Sequence, residues 1–357
     1  MENIDGMLNI LKVFGMAAFA FWLGISLTPI LTHYLYKHKC WKKTARTKAL
    51  LGGEATIFNS LHKKKEVGTP RMGGIIIWFS VLSGTLIFYF FAKIFPHSEL
   101  TQKLNFFSRS QTWLPVFTLF FASMLGLVDD ILQIKEKGGY LAGGLSLTKR
   151  VALVAALGAA GAYWFYFKLE KSAVLIPFFG EINFGLLFIP FFIIIMLALF
   201  SGGVIDGLDG LAGGIMANIF AAYSGIAFFQ NQIDLAAFCA VITGALLAFL
   251  WFNIPPARFY MGETGMLGLT TTLAVVAFLT NSAIVLPIIA FPLFAASGSD
   301  IIQLFSKKFF GKKVFMVAPV HHHFEAIGWP SYKVTMRFWV ISAIFAVIGM
   351  VIILVGK

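Results

Sequence analysis

The feature that most constrains this chain is a series of apolar segments, each about as long as a membrane-spanning helix. The stretch from Phe184 to Val204, for example, contains no charged side chain. About 20 apolar residues cross the hydrocarbon core of a bilayer as a helix. Ten such segments are predicted, near residues 12–33, 72–92, 113–128, 151–168, 184–202, 211–229, 235–252, 266–280, 283–303 and 336–356. The sequence therefore predicts helices that span a membrane.

The composition excludes a water-soluble fold. Apolar and aromatic residues make up 59% of the 357 residues and charged residues only 12%, whereas soluble proteins contain about 25% charged residues. A soluble fold of this length would leave large apolar patches in water. We therefore expect an all-α polytopic membrane protein with about ten transmembrane helices, organised as a single membrane domain over residues 1–357. Glu2 and Asp5 precede the first segment, where a cleaved signal peptide would carry basic residues, so no cleaved leader is expected.

The distribution of basic residues predicts the orientation of the chain. Most of the 28 Lys and Arg residues fall in loops that follow odd-numbered apolar segments. Cytoplasmic loops carry the excess of Lys and Arg in membrane proteins, so both termini are expected outside and the basic loops inside. Basic residues beside a membrane are attracted to anionic lipid headgroups. This attraction explains the net charge of +12 without a nucleic-acid partner.

Carboxylates cluster in three loops on the predicted cytoplasmic side. They are Asp129 and Asp130 after the third segment, Asp206 and Asp209 between the fifth and sixth, and Glu263 between the seventh and eighth. Carboxylates beside a membrane core are costly unless they are hydrated, paired or bound to a cation. Several of them on one face suit Mg²⁺, which binds carboxylate, water and phosphate oxygens. The alternative for Asp129 and Asp130 is that they cap a helix end in headgroup water.

Further polar elements lie on the same predicted side. In Asp206-Gly-Leu-Asp-Gly210, glycines permit tight turns and close backbone approach to a ligand, although a plain turn between packed segments has the same pattern. Asn253, with prolines after it, indicates irregular backbone that lines a water-filled cavity. The triplet His321-His322-His323 has three alternative roles: it binds metal, it contacts phosphate, or it lies at the water interface. A zinc site is not expected, because further Cys or His ligands are missing from the motif.

Three other residues are assigned no chemistry. Asp300 lies inside the ninth apolar segment, where a structural carboxylate bonded to a neighbouring helix is favoured over a proton or ion path. Cys40 and Cys239 fall in different predicted environments and belong to no common motif. Two cysteines in a chain of this length exclude a disulfide-stapled secreted scaffold.

In combination, these motifs resemble one family over nearly the whole chain. In order they are Gly68-Thr-Pro-Arg-Met-Gly-Gly74, Asp129-Asp130, Asp206-Gly-Leu-Asp-Gly-Leu-Ala212, Asn253, Met261-Gly-Glu-Thr-Gly265, Pro319-Val-His-His-His-Phe-Glu325 and the segment from Gly328 to Trp339. They are similar to the motifs of the phospho-MurNAc-pentapeptide translocase (MraY) family, one of the polyprenyl-phosphate N-acetylhexosamine-1-phosphate transferases, which has the same number of spans. The block from Pro319 to Glu325 is the most specific, because relatives that use other UDP-sugars resemble it less there.

The resemblance implies an enzyme of peptidoglycan synthesis in a bacterial plasma (inner) membrane. Such an enzyme transfers phospho-MurNAc-pentapeptide from UDP-MurNAc-pentapeptide to undecaprenyl phosphate, giving lipid I and UMP. Mg²⁺ as the cofactor and a homodimeric state are implied in the same way. A site at the cytoplasmic interface agrees with this reaction, because one substrate is a soluble nucleotide and the other is a lipid phosphate. A cation reduces the repulsion between two such anions.

The resemblance also implies roles for individual residues. The implied catalytic residues are Asp129, Asp130, Glu263, His321 and His322, and the implied metal ligands are Glu263, Asp129 and Asp130. The implied substrate-binding residues are Lys149, Asp206, Gly207, Leu208, Asp209, Asn253, Tyr260, Gln303 and His323. Asp129 would activate the lipid phosphate, Tyr260 would stack on uracil and Lys149 would lie near the diphosphate.

Two mechanisms have been proposed for such enzymes, direct attack by the lipid phosphate and a covalent enzyme intermediate. Direct attack is favoured here, because a phosphate monoester loses its second proton near a pKa of about 6. The lipid phosphate therefore needs little help to ionise near neutral pH.

Five positions depart from the family pattern. The metal-binding motif usually reads Met-Gly-Asp, whereas Glu263 carries its carboxylate one methylene further out, and a misplacement of about 1 Å costs about 10²-fold in rate. The other four departures are Gln133 for a lysine, Gly203 for an asparagine, Met266 for a serine, and Val67 for a basic residue, with Lys63, Lys64 and Lys65 upstream as substitutes. These changes predict an altered or weakened catalyst as one outcome.

Two other functions stay open on the sequence. One is a transferase of the same fold for another UDP-sugar, or a weakly active paralogue, which the five departures favour. The other is an ion-coupled transporter that uses Asp300 and the acidic loops. Transporters place their polar sites near the bilayer midplane, whereas most acids of this chain are predicted at one interface. The transferase is therefore preferred.

Overall fold

The chain folds almost entirely into α-helices in the part that the computed structural model describes, residues 2–43, 67–136 and 143–356. The helices are α1 (Glu2–Ile10), α2 (Met16–Lys37), α3 (Ile75–Ile94), α4 (Glu99–Leu104), α5 (Trp113–Ile134), α6 (Leu147–Tyr163), α7 (Phe188–Ser201), α8 (Leu211–Phe229), α9 (Ile233–Asn253), α10 (Gly262–Leu279), α11 (Leu286–Ile289), α12 (Phe291–Phe310), α13 (Val320–Ala326) and α14 (Ser331–Val355). Lys63, Lys64 and Lys65, proposed from the sequence as substitutes for a basic residue at position 67, lie outside the described residues.

Nine helices within the described ranges are long and apolar enough to cross a membrane. They are Asp5–Lys37, Ile75–Ile94, Trp113–Ile134, Leu147–Lys168, Gly185–Ile205, Leu211–Phe229, Ile233–Asn253, Gly262–Leu279 and Ser331–Val355. Some of them include short π-helical or 3₁₀ turns, at Leu11–Gly15, Trp164–Lys168, Gly185–Leu187 and Gly202–Ile205. The prediction of an all-α polytopic membrane protein is confirmed, with nine such helices in these ranges where ten segments were predicted.

The difference lies in the predicted segment 283–303. It is divided at Ala290 into the short helix α11 and the longer helix α12. Pro292 occupies the first turn of α12, where a residue without a backbone N–H is tolerated, whereas inside a continuous helix it would remove the hydrogen bond to the residue four positions earlier. Helix α12 also carries Asp300, Lys307 and Lys308, so it has a polar side that a lipid-facing span lacks.

Helix α10 forms the centre of the bundle. Every one of its residues except Glu263 is buried. A side chain at Gly126 of α5 would collide with the backbone of Glu263, and one at Gly268 of α10 would collide with Ser123 of α5. Small residues let helix backbones approach closely where lipid provides no hydrophobic driving force between helices. The two glycines therefore bring α5 and α10 together and place the carboxyl end of α5 against the start of α10.

The outer helices pack on this centre through further small residues. A side chain at Gly244 of α9 would strike the backbone of Ala17 in α2, and one at Gly214 of α8 would strike the indole of Trp339 in α14. The Trp339 indole N–H also donates to the Gly210 carbonyl oxygen at 3.1 Å. Helix α14 therefore holds the turn that precedes α8.

Two short antiparallel strands, β1 (Ala173–Ile176) and β2 (Gly180–Asn183), lie at one end of the bundle. Their register pairs Ala173 with Asn183 and Ile176 with Gly180. The Phe178 N–H in their turn donates to the carbonyl oxygen of Gly356, directly after α14. The sequence did not predict this hairpin, which lies at the end of the bundle opposite the acidic loops.

Candidate active site

The acidic loops and the Gly68–Gly74 motif meet at one end of the bundle. Two backbone hydrogen bonds join this motif to the segment before α10: the Tyr260 N–H donates to Pro70 O and the Gly73 N–H donates to Tyr260 O, each at 2.8 Å. The Gly74 N–H adds a third, to Met261 O at 2.9 Å. A side chain at Gly74 would overlap Gly265. The start of α3 therefore lies directly against the start of α10.

Asp130 fixes the first turn of α10. Its carboxylate accepts hydrogen bonds from the backbone N–H groups of Glu263 at 3.1 Å and Thr264 at 2.9 Å, and the residue is fully buried. The first N–H groups of a helix lack partners within the helix and favour a negative charge nearby. The Thr264 hydroxyl also donates to the carbonyl oxygen of Ser123 in α5. Asp130 therefore sets the position of Glu263.

Arg150 joins the carboxylates of Asp129 and Glu263. Its Nη2 lies 2.8 Å from Asp129 Oδ2, and its Nη1 contacts Glu263 Oε1. The same Asp129 oxygen accepts a hydrogen bond from Gln133 Nε2 at 2.8 Å, and its other oxygen accepts one from the Leu145 N–H. A charged pair in a site of low polarity is stable only when hydrogen bonds satisfy its remaining groups. The negative charges of both carboxylates are therefore offset by the positive charge of one guanidinium.

Arg71 extends this network on the other side of Gln133. Its Nη1 donates to Gln133 Oε1 at 2.9 Å, so the amide of Gln133 links Arg71 to Asp129. Arg71 also attracts the carboxylates of Asp130 and Asp206 electrostatically. Two of the positions that depart from the family pattern, Gln133 and Glu263, thus belong to one chain of contacts that contains two arginines.

Among the described residues, no group of three or more His, Cys, Asp or Glu side chains is arranged to hold a metal ion. The oxygens of Asp129 and Glu263 are of the type that Mg²⁺ binds, and they already face a positive charge, the guanidinium of Arg150. Both oxygens of Asp130, in contrast, accept backbone N–H groups. The donor chemistry therefore fits Mg²⁺ best at Asp129 and Glu263, and the three-ligand set stays a prediction.

The glycine-rich loop before α8 lies beside the start of α10. Asp206 Oδ2 accepts a hydrogen bond from the Gly262 N–H at 3.3 Å, and Asp209 Oδ2 accepts one from the Ala257 N–H at 3.4 Å. Removal from water raises the pKa of Asp206 to about 6, against the opposing attraction of Arg71. Leu208, which lies between these two acids in the sequence, is buried. The loop thus brings Asp206 close to Glu263 and Asp209 to the loop that precedes α10.

The histidine triplet forms α13 and covers the same loop. A Cβ atom at Gly207 would lie 2.5 Å from His321 Nε2 and 2.7 Å from His322 Nε2, so both rings approach the backbone of Gly207. His322 Nδ1 lies 2.8 Å from Glu325 Oε2, which orients that ring. His323 instead accepts a hydrogen bond at Nδ1 from the Met316 N–H. His321 and His322 lie beside the acidic loop, as predicted, whereas His323 contacts the preceding loop.

Asn253 and Tyr260 frame the loop that joins α9 to α10. The Asn253 side chain accepts from the Gly210 N–H at 3.0 Å and donates to the Phe259 carbonyl oxygen at 2.8 Å. Asn253 therefore holds two loops together. Tyr260 is half-buried, and removal from water, with a smaller contribution from the nearby Asp209, raises its pKa to about 12. Its phenol is therefore neutral near pH 7 and shares a hydrogen bond with Thr69.

Two predicted substrate-binding residues lie outside this network. Lys149 is exposed in the first turn of α6, and the contacts to Asp129 and Glu263 come from its neighbour Arg150. Gln303 uses its side-chain amide to bond the backbone of Val314 and Phe315. It thereby positions the loop that leads to the histidine helix. Both substrate roles stay predictions.

The sequence interpretation missed the two arginines. Arg150 follows Lys149 directly, and only the rotation of α6 relative to α5 and α10 distinguishes one from the other. Arg71 stands within the Gly68–Gly74 motif, and its basic side chain among small residues was a signal that could have marked it.

Comparisons with known proteins show the family to which the chain belongs. The family model described as "Glycosyl transferase family 4" matches residues 112–281, which include α5 and α10. A phospho-N-acetylmuramoyl-pentapeptide-transferase of Geobacillus sp. (strain WCH70) is 37% identical over 82% of this chain and 85% of the relative. The enzyme of that name from Pelagibacter ubique is 35% identical over 81% of each chain. The one from Bacillus mycoides is 33% identical over 94% of this chain and 96% of the relative. The chain belongs to the phospho-N-acetylmuramoyl-pentapeptide-transferase family.

Proposed function

We propose that this chain transfers phospho-MurNAc-pentapeptide from UDP-MurNAc-pentapeptide to undecaprenyl phosphate, giving lipid I and UMP in peptidoglycan synthesis. Family membership and nine helices able to span a membrane make it an integral protein of the bacterial plasma (inner) membrane. The observation that carries the proposal is the meeting of Asp129, Asp130 and Glu263 with two arginines at one end of the bundle. Such a site can bring two phosphate-bearing substrates together.

The donor nucleotide is assigned to the side of the site that the α8 loop forms. Asp206 and Asp209 lie on either side of Gly207 in the sequence of this loop. Asn253 holds this loop against the α9–α10 connection, and the half-buried ring of Tyr260 in that connection is proposed to stack on uracil. His321 and His322 lie over Gly207, and this position supports a proposed role for their imidazoles in hydrogen bonding to a phosphate or ribose. Leu208, between Gly207 and Asp209 in the sequence, is assigned to the same side of the site.

The transfer is proposed as a direct attack by the acceptor phosphate. An oxygen of undecaprenyl phosphate forms a bond to the phosphorus that carries the sugar, and the bond from that phosphorus to the bridging oxygen breaks with its electron pair leaving on UMP. Asp129 faces Arg150 and Gln133 and would orient the acceptor and accept its proton. The need for a base is small, because a phosphate monoester has a second pKa of about 6. Arginine guanidinium groups stabilise the charge that develops on the transferred phosphoryl group.

Mg²⁺ is proposed as the cofactor, with Asp129 and Glu263 as its ligands and Asp130 as the residue that positions Glu263. When bound, the ion would neutralise charge on the diphosphate and on the transferred phosphoryl group. Because Arg150 contacts both carboxylates, its side chain has to move when a cation binds between them. The predicted homodimer also stays a proposal, and light scattering of the purified protein checks it.

The release of UMP tests the proposed function. Protein purified into lipid nanodiscs, supplied with Mg²⁺, UDP-MurNAc-pentapeptide and undecaprenyl phosphate, should release UMP, and a chelator should stop the release. Asp129→Ala and Asp209→Ala should abolish turnover. Asp5→Asn, which removes an exposed carboxylate at the first residue of the first span, where it pairs with Lys103, is the control and should keep the wild-type rate. No release with any divalent cation would overturn the proposal.

A transferase for another UDP-sugar, or a weakly active paralogue, is the second candidate. The observation that favours it is the contact between Glu263 and Arg150, because the longer carboxylate is held by a guanidinium. UMP release from other UDP-N-acetylhexosamines under the same conditions would support it. The transporter alternative gains no support, since Asp300 lies on α12, which is not among the helices able to span a membrane in the described ranges.

A further inference from the structure

Arg71 occupies the junction of the segments that form the site. Its own N–H donates to Cys40 O at 2.8 Å, next to the carboxyl end of α2. The preceding residue, Pro70, accepts from the Tyr260 N–H. The backbone of Arg71 is therefore held from two sides, and its side chain starts from a fixed position.

The guanidinium of Arg71 lies among acidic groups from two other segments. One nitrogen, Nη1, donates to Gln133 Oε1 at 2.9 Å. The carboxylates of Asp130 and Asp206 are close enough for electrostatic attraction. Both acids accept backbone N–H groups at the start of α10. Arg71 thus brings positive charge to the place where α5, the α8 loop and α10 meet.

The hydrogen-bonding capacity of Arg71 is only partly used. Across the described ranges, no group accepts a hydrogen bond from its Nε, although that atom is buried from solvent. A buried donor without an acceptor is energetically unfavourable, so a ligand oxygen that reaches this atom would bind favourably. A guanidinium presents its donors in a planar fork that matches phosphate oxygens. A phosphate is the ligand chemistry that best fits this arrangement.

The positive charge of Arg71 also offsets the negative charge of the acidic residues at the site. At positions 67 and 133, where the family resemblance expects basic residues, this chain has Val67 and Gln133. Arg71 lies four residues after the first position and contacts the residue at the second directly. Arg150 contacts Asp129 directly, and Arg71 supplies positive charge near Gln133, Asp130 and Asp206.

We propose that Arg71 binds the diphosphate of the nucleotide donor, with its Nε and Nη groups donating to phosphate oxygens. This inference rests on the proposed function, because it takes the donor to be a nucleoside diphosphate. It assigns to Arg71 a binding role that the sequence interpretation had given to Lys149. Arg150 remains the residue that compensates Asp129 and Glu263.

The proposal predicts how affinity depends on the number of phosphates. Binding of uridine, UMP and UDP to the purified protein in nanodiscs with Mg²⁺ is measured by isothermal titration calorimetry. In the wild type, affinity should rise from uridine to UDP. Arg71→Gln should lower the affinity for UDP about tenfold or more, since a charge-assisted hydrogen bond contributes about 1.5–3 kcal/mol, and leave the affinity for uridine unchanged. Arg71→Lys keeps the positive charge but lacks the planar fork of donors, so its affinity for UDP should lie between those of the wild type and Arg71→Gln.

Arg337→Gln is the matched control. Arg337 is exposed at the same end of the bundle, with its guanidinium 4.2 Å from the centre of the Trp329 ring, and its removal should change none of the three affinities. The melting temperature of each variant reports folding, and Arg71→Lys carries the test if Arg71→Gln does not fold.

If affinity rises from uridine to UDP by the same factor in the wild type and in both Arg71 variants, the proposed role of Arg71 is overturned. The proposed function is not affected by that result. An equal loss for uridine and UDP would also overturn the role of Arg71, because Arg71 would then shape the pocket instead of binding phosphate. A wild type that binds UDP no better than uridine would contradict the diphosphate site itself, and with it the proposed function.

Discussion

Nη2 of Arg150 lies 2.8 Å from Oδ2 of Asp129, whose side chain is only 4% exposed. Arg150 comes from the start of α6 and Asp129 from the end of α5, so this ion pair closes the connection between the two helices. The same guanidinium reaches Glu263 at the start of α10. One side chain therefore joins three helices at the site.

Loss of Arg150 should destabilise the protein. Arg150→Gln leaves the buried Asp129 carboxylate and Glu263 facing each other without a cation, and breaking a buried pair costs about 3 kcal/mol. The change is measured as a lower unfolding midpoint in detergent with chelator present. Lys149→Gln removes the same charge from the neighbouring exposed position and should shift stability by less than about 0.5 kcal/mol. Equal effects of the two variants would contradict the importance of the ion pair.

Shortening Glu263 should strengthen cation binding. Glu263→Asp withdraws the carboxylate by one methylene, so it loses contact with Nη1 of Arg150 and becomes available to a metal ion. We expect Mn²⁺, measured by electron paramagnetic resonance of the purified protein, to bind about tenfold more tightly, and the UMP-release rate to rise.

Glu263→Gln is the control, because it keeps the length and removes the charge, and it should weaken Mn²⁺ binding. If Glu263→Asp binds Mn²⁺ no better than the wild type, the departure from the family motif does not limit cation affinity.

Asp206 should make stability depend on pH. Its pKa is raised from the ordinary value of 3.8 to about 6 by removal from water. Between these values the folded protein retains a proton that the unfolded chain has lost, so this contribution to stability falls as pH rises from about 4 to about 6 and is constant above. Melting temperatures of the wild type should show this decline relative to Asp206→Asn. Parallel pH profiles would contradict the raised pKa.

A side chain at Gly207 should disturb the histidine helix. In Gly207→Ala the new methyl group would lie 2.5 Å from His321 Nε2 and 2.7 Å from His322 Nε2, so both rings must shift. We expect kcat/KM for the nucleotide donor to fall about tenfold or more, since small misplacements at a catalytic site are costly.

Gly203→Ala is the matched comparison for that variant. Among the residues that the structure describes, apart from its neighbours in the chain, none has an atom within 4 Å of a Cβ at Gly203, so the melting temperature of this variant should equal that of the wild type. Wild-type kinetics in Gly207→Ala would show that the rings at α13 do not act on the donor.

The spans could be predicted from the sequence because lipid selects for length and low charge. The segment predicted at 211–229 is the helix Leu211–Phe229, for example. Hydropathy failed at 283–303, because averaging over a window conceals the break before Pro292. It also could not reveal β1 and β2, since strands of four residues carry too little periodicity to be distinguished from a loop.

The site was predictable where charge alone identifies a residue. Asp129, Asp130 and Asp206 were expected at one end of the bundle, and they meet there. The choice between Lys149 and Arg150 could not be predicted from the sequence. Neighbouring residues of a helix point in directions about 100° apart, and the rotation of α6 depends on tertiary packing. Residues that act through distant partners, such as Arg71 with Gln133, need the packed structure to be recognised.

The hydrogen bonds from the first turn of α10 to Asp130 tie the geometry of the reaction centre to the relative depth of two helices. Moving one helix along the other by a single residue would translate Glu263 by about 1.5 Å, far more than a hydrogen bond tolerates. Bilayer thickness, tilt and lateral pressure all act on how deeply helices sit. The glycine contacts at Gly126 and Gly268 resist that sliding, so this enzyme keeps its chemistry aligned while the lipid around it changes.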